Sequence, residues 1–117
     1  MNKKEIQERL KKYAIDIVHF SEGLPANSGF NTVVNQIIRS APSAAANYRA
    51  ACRAKSVADY IHKMHIVEEE LDETMFWLEF TVGLSEALRP KVAHLWKEGD
   101  ELLAITVASI ITAKKHR

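Results

Sequence analysis

Four stretches of this chain repeat apolar residues at alternating steps of three and four, and only three short breaks separate them. From about Lys3 to Glu22 the apolar positions are Ile6, Leu10, Tyr13, Ile17 and Phe20, a single stripe along one helix face. "SEGLPANSGFN" then collects glycines, a proline and asparagines, which predicts a loop ending in a helix cap near Asn31. The second helix is expected to reach about Arg53. Ser56 with Asp59 three residues later forms a capping arrangement that opens a third helix. That helix is expected to stop near Gly83 through a left-handed glycine. Pro90 suits the first position of a fourth helix running towards Lys115. No strand-like alternation or internal repeat competes with this pattern. Residues 1–117 are therefore expected to form one all-α domain, an antiparallel up-down-up-down four-helix bundle.

The formal charge is only +1, so nucleic acid or anionic lipid can be attracted only by a local patch. Cys52 is the single cysteine, which rules out an internal disulfide and reads as a small packing residue in a reducing compartment. "MNKKEIQERLKKY" has a basic start without a following apolar run, unlike a secretory signal. No segment approaches the roughly 18 apolar residues of a membrane span. A cytoplasmic protein without a membrane partner is the expectation.

The second helix places Val33, Val34, Ile37, Ala41, Ala44, Ala45, Tyr48, Ala51 and Cys52 on one face. Most are small, so this face predicts a close approach of neighbouring helices. Pro42 falls on the opposite side, where the lost amide is expected to kink or loosen a turn facing solvent. Arg39, Arg49 and Arg53 also project outwards and Lys55 follows, with no acid between Asn31 and Lys55. The third segment reverses this, with Asp59, Glu68, Glu69, Glu70, Asp72, Glu73 and Glu79 against Lys63. Two readings stand: ion pairing between antiparallel helices or subunits, or a phosphate-binding stripe of Arg39, Arg49, Arg53 and Lys55 joined by Lys3, Lys4, Lys11 and Lys12.

The third helix has a complete core stripe of Val57, Tyr60, Met64, Val67, Leu71, Met75, Leu78 and Val82. Its largest residues, Phe76, Trp77 and Phe80, with Ile66 earlier, fall outside that stripe. Monomers rarely expose such a patch, so these four residues are the expected oligomer interface, the alternative being that they cap the bundle end. Ile105 and Ile111 flank the stripe of the last helix and point the same way.

Asp16-Ile-Val-His19 and Asp59-Tyr-Ile-His62 have the spacing of di-metal half-sites. The second helix supplies no carboxylate, and all four side chains plot outside the core stripes. Neither a metal site nor a bound cofactor is therefore expected. No phosphate loop, nucleophile elbow or paired-cysteine motif occurs, and Ser40, Ser43 and Ser56 lack a nearby base. The chain reads as a non-enzyme with no catalytic residues.

"QIIRSAPSAAANYRAACRAKSVADYIHKMHIVEEELDETMFWLEF", Gln36 to Phe80, resembles the four-helix bundle family of proteins encoded by intervening sequences in bacterial large-subunit ribosomal RNA genes. The resemblance is carried by Gln36-x-x-Arg39, the small-residue run through Asn47, and the later acid-rich helix with an aromatic near its end. It implies a cytosolic, ring-like homopentamer. The same segment is similar to the accessory variability proteins of diversity-generating retroelements, which implies a reverse transcriptase partner and nucleic-acid binding through basic surfaces. The combined expectation is a homo-oligomeric scaffold or adaptor for a protein or ribonucleoprotein partner. The alternative is direct RNA or DNA binding through the second helix.

Overall fold

The computed structural model describes residues 1–117 and is built of α1 (Lys3–Glu22), α2 (Ser28–Ala51), α3 (Val57–Leu84) and α4 (Arg89–Lys114), with a short 3₁₀ turn at Glu86–Leu88. The helices run alternately up and down, each packed on its neighbours in sequence, with α1 and α4 closing the bundle. The result is a rod of 46 × 20 × 20 Å. Its length follows from α3, whose 28 residues span about 42 Å at 1.5 Å each.

Local chemistry sets the helix starts. The Asn2 side chain accepts from the Glu5 amide at 2.9 Å, Asn27 from Phe30 at 3.0 Å, and Ser56 from Asp59 at 3.0 Å, each satisfying an amide that a helix N-terminus leaves open. The cap of helix α2 is therefore Asn27, four residues before the cap expected near Asn31, and its first turn tolerates Gly29. Gly29 lies against Leu84, a packing that bulkier residues would crowd. Helix α3 ends at Leu84, next to Gly83 as expected, but no glycine has a positive φ: the stop is made where the Ser85 amide reaches the Thr81 carbonyl at 3.0 Å.

The core is built from Leu10, Tyr13, Ile17, Val33, Ile37, Met64, Leu71, Leu78 and Leu102, all essentially buried. Ala41, Ala44 and Ala51 are buried too, as the small face of α2 requires to sit between α1 and α3. The expected stripe of α3 needs correction at its edges. Val57 is exposed and Tyr60 and Val82 are half-buried, while Ile61, Thr74 and Thr81 lie in the core. Threonine can occupy those sites because Thr74 donates to the Glu70 carbonyl at 2.9 Å and Thr81 to the Trp77 carbonyl at 2.8 Å. The Ser40 and Thr74 hydroxyls meet at 2.6 Å between α2 and α3. Since Thr74 has already donated its proton, Ser40 is the donor, and every hydroxyl in this buried pair is satisfied.

Pro42 leaves α2 a single unbroken helix and is half-buried beside α1. Its face is thus not fully open to solvent but borders the groove between α1 and α2. The seam between α1 and α4 is the least closely packed. Arg9 bridges it to Glu98 through two bonds of 2.7 Å and to Glu101 at 2.8 Å. Beneath that bridge the buried Tyr13 ring reaches α4 at Gly99, where an added Cβ would lie 2.6 Å from the hydroxyl.

Candidate functional site

The bundle's distinguishing side chains are on its outside, in three places. The first is an aromatic ridge on the outer face of α3. Phe76 and Phe80 are 53% and 40% exposed, and Trp77 is half-buried against the core. Their rings form one cluster: Phe76 meets Trp77 edge-on at 5.0 Å, and Trp77 meets Phe80 at 5.1 Å. The expectation that all three aromatics stand outside the core is therefore corrected for Trp77, which packs partly against the core. Ile66 is also half-buried and lies about 15 Å along the helix from Phe76, outside the cluster. Leu84 continues the ridge and is exposed. Of the α4 residues expected to join this surface, Ile111 is exposed and Ile105 packs partly against the core.

The second place is the basic end. Up-and-down topology brings the start of α1, the end of α2, the start of α3 and the end of α4 together. A shallow cavity there is lined by Lys3, Ala54, Ser56, Tyr60 and His116, which fixes the convergence of these segments. Lys3 sits 5.4 Å above the Tyr60 ring. Arg53 and Lys55 lie at this end, Arg49 one turn into α2, and Lys4, Lys114, Lys115 and Arg117 join them. Asp59 is engaged by Lys63 at 2.7 Å, and that bond, ahead of the Lys55 amide, holds its carboxyl below the usual range. Periodicity within single helices could not reveal Lys114, Lys115 and Arg117 as part of this surface, because only the antiparallel fold delivers them to it.

Arg39 does not belong to that end. It binds Glu73 at 2.6 Å and Glu70 at 3.1 Å on α3, and these bonds, Glu73 first, raise its pKa further. The four basic residues named from sequence are thus split: Arg39 spends its guanidinium within the chain, while Arg49, Arg53 and Lys55 have no side-chain ion pair. The ion-pairing reading holds for Arg39 alone.

The third place is a groove of about 590 Å³ between α1 and α2. Ala14, Ile15, Val18, Pro42, Ala45 and Ala46 make its floor and walls, and Lys11, His19 and Arg49 stand at its rim with Gln7 and Glu8. No three histidine, cysteine, aspartate or glutamate side chains converge anywhere on the chain. Asp16 is taken by Lys12 at 3.0 Å and Asp59 by Lys63, so neither sequence half-site meets another. No helix is long and apolar enough to cross a membrane.

These features define an all-α, antiparallel four-helix bundle whose distinctive residues face outwards. The chain belongs to the 23S rRNA-intervening sequence protein family, whose model matches residues 2–108. Among solved structures it is similar to a protein of unknown function from the S23 ribosomal protein family of Bacteroides thetaiotaomicron. That likeness has 27% identity and a TM-score of 0.85, and covers 94% of this chain and 98% of the other. No curated protein matches the chain.

Proposed function

We propose that this protein is a non-enzymatic, self-assembling helical scaffold of the cytoplasm that presents its surface to a protein or ribonucleoprotein partner. The exposed Phe76–Phe80 cluster carries this reading. Each large aromatic removes on the order of 150 to 250 Å² from water when buried, so a contiguous set left open favours association. A homopentameric ring is the assembly that the family resemblance favours, and a reverse transcriptase is the partner that its retroelement likeness favours. Light scattering at micromolar concentration tests the first step. The wild-type mass should be a multiple of the monomer, and Phe76→Glu with Phe80→Glu should reduce it to one chain while helical circular dichroism persists. A monomeric wild type would refute the reading.

The basic end favours a second role, contact with RNA or DNA phosphates. Arg49, Arg53 and Lys55 are joined there by Lys3, Lys4, Lys114, Lys115 and Arg117. In a ring of parallel copies these ends would share one rim. Binding of this kind releases counterions and weakens steeply with salt. Reversing Arg53 and Lys115 to Glu should abolish binding to single-stranded RNA or duplex DNA, whereas Arg39→Glu should not act through phosphate contact. Salt-independent binding would exclude this role.

A further inference from the structure

The aromatic ridge of α3 and the groove between α1 and α2 differ in shape and in charge, and they match. The ridge is convex, with Phe76 and Phe80 projecting and the unpaired acids Glu69 and Asp72 beside them. The groove is concave, floored by alanines, with Ile15 exposed at 45% on its wall and the unpaired bases Lys11 and Arg49 outnumbering the single acid, Glu8, that lines it. Ile38, 42% exposed, extends that wall one turn before Pro42.

The order along the bundle axis also agrees. Moving away from the basic end, Lys11 precedes Ile15 by four residues on α1, and Arg49 and Pro42 are seven residues apart on the antiparallel α2. On α3, Asp72 precedes Phe76 by four residues and Glu69 precedes it by seven. Charge and apolar centre are therefore offset by about 6 and 10 Å on both surfaces, in the same direction. An antiparallel partner would set aromatics against charges. A parallel partner sets Glu69 and Asp72 against Lys11 and Arg49, and the aromatics against the alanine floor.

We infer that the Phe76–Phe80 ridge of one copy docks into the α1–α2 groove of a second, parallel copy, so that the subunit contact is heterologous. The inference rests on the self-assembly proposed above and specifies which surface receives the ridge. Ridge and groove lie on different sides of the rod, so each copy can give one contact and receive another. Repetition closes a ring when the rotation closes. Small side chains on the groove floor leave volume for aromatic rings, and the paired charges specify register.

Mixing variants tests this directly. Ile15→Glu with Arg49→Glu blocks the groove, and Phe76→Glu with Phe80→Glu blocks the ridge. Each variant alone should sediment as a monomer. Their mixture should form a one-to-one dimer and nothing larger, because one intact groove and one intact ridge remain. Restored register gives an independent check: Lys11→Glu with Arg49→Glu should lower the mass, and adding Glu69→Lys with Asp72→Lys in the same chain should recover the wild-type mass. A groove variant that keeps the wild-type mass would overturn the inference while leaving self-assembly standing. So would a ridge variant that the groove variant cannot capture, or a charge exchange without recovery. A monomeric wild type would instead refute the self-assembly on which the inference rests.

Discussion

Exchanging the Tyr13 hydroxyl for a methyl group on α4 should make the bundle more stable, and the two halves of the exchange should be strongly coupled. The Tyr13 hydroxyl is buried with no protein hydrogen-bond partner, and burial together with Glu98 pushes its pKa well above the ordinary phenol range. Removing an unsatisfied buried hydroxyl recovers part of a desolvation cost of about 1 to 3 kcal/mol, so Tyr13→Phe should be neutral or stabilising by about 1 kcal/mol. Gly99→Ala alone has two opposed effects. Alanine favours a helix interior by about 1 kcal/mol over glycine. Against that, the new Cβ would lie 2.6 Å from the hydroxyl and 3.2 Å from both the Tyr13 ring carbon and Met75. Overpacking of this kind costs about 1 to 3 kcal/mol, so the single variant should lose stability by about 1 kcal/mol. In the double variant the nearest obstacle is gone, the helix gain remains, and stability should exceed wild type by about 1 to 2 kcal/mol. The interaction energy of the cycle is then about 1 to 2 kcal/mol, well above the few tenths expected of independent sites. Denaturant unfolding followed by helical circular dichroism, at one fixed protein concentration, measures all four corners. Additive single effects, or a Tyr13→Phe variant less stable by more than 1 kcal/mol, would show that the hydroxyl is satisfied and that Gly99 is not its receptor.

The buried phenols also set an alkaline limit. Tyr13 and Tyr48 are both raised, each chiefly by burial, so folding holds their protons where the unfolded chain has lost them. Their contribution is complete below about pH 10 and declines as pH rises above it, so Tyr13→Phe should flatten the alkaline limb of a stability profile. Ser40→Ala should cost about 1 kcal/mol by deleting the buried α2–α3 bond, while Ser40→Ala with Thr74→Val, removing both partners, should cost less than the sum of the singles in a chemical denaturation cycle. Ser56→Ala should lower the unfolding midpoint by the equivalent of about 1 kcal/mol through loss of the α3 cap, with Ser56→Gly milder.

Much of the fold is legible in local pattern because helix propensity, caps and apolar stripes are properties of residues a few positions apart. Helix α1 has the bounds that its stripe predicts, the Ser56 cap is where the residue types place it, and α4 opens one residue ahead of Pro90. Misreadings cluster where a local rule was outweighed by a neighbour in space. Helix α3 ends beside Gly83 as expected, but without the left-handed glycine: the Ser85 amide closes the last turn on the Thr81 carbonyl. Pro42 looks fully solvent-facing on a helical wheel, yet it is half-buried at the edge of the α1–α2 groove. Thr74 and Thr81 are absent from the apolar stripe of α3, yet they lie in the core because backbone carbonyls one turn earlier satisfy them.

The candidate surfaces divide the same way. An aromatic cluster outside a filled stripe can be seen in the periodicity of one helix, as can the acid-free run of α2. Which arginine is spent in an ion pair depends on a helix more than thirty residues away: Arg39 faces Glu70 and Glu73, and Arg53 faces none. The union of Lys3, Lys55 and Lys115 at one end, the groove opposite no neighbour, and the seating of Tyr13 on Gly99 are likewise relations between helices. By itself the sequence determined four amphipathic helices, their caps and their order, since these follow from spacing along one chain. Only the tertiary structure decided which faces meet, which charges cancel and which are left to act together, because those depend on distances that sequence separation does not measure.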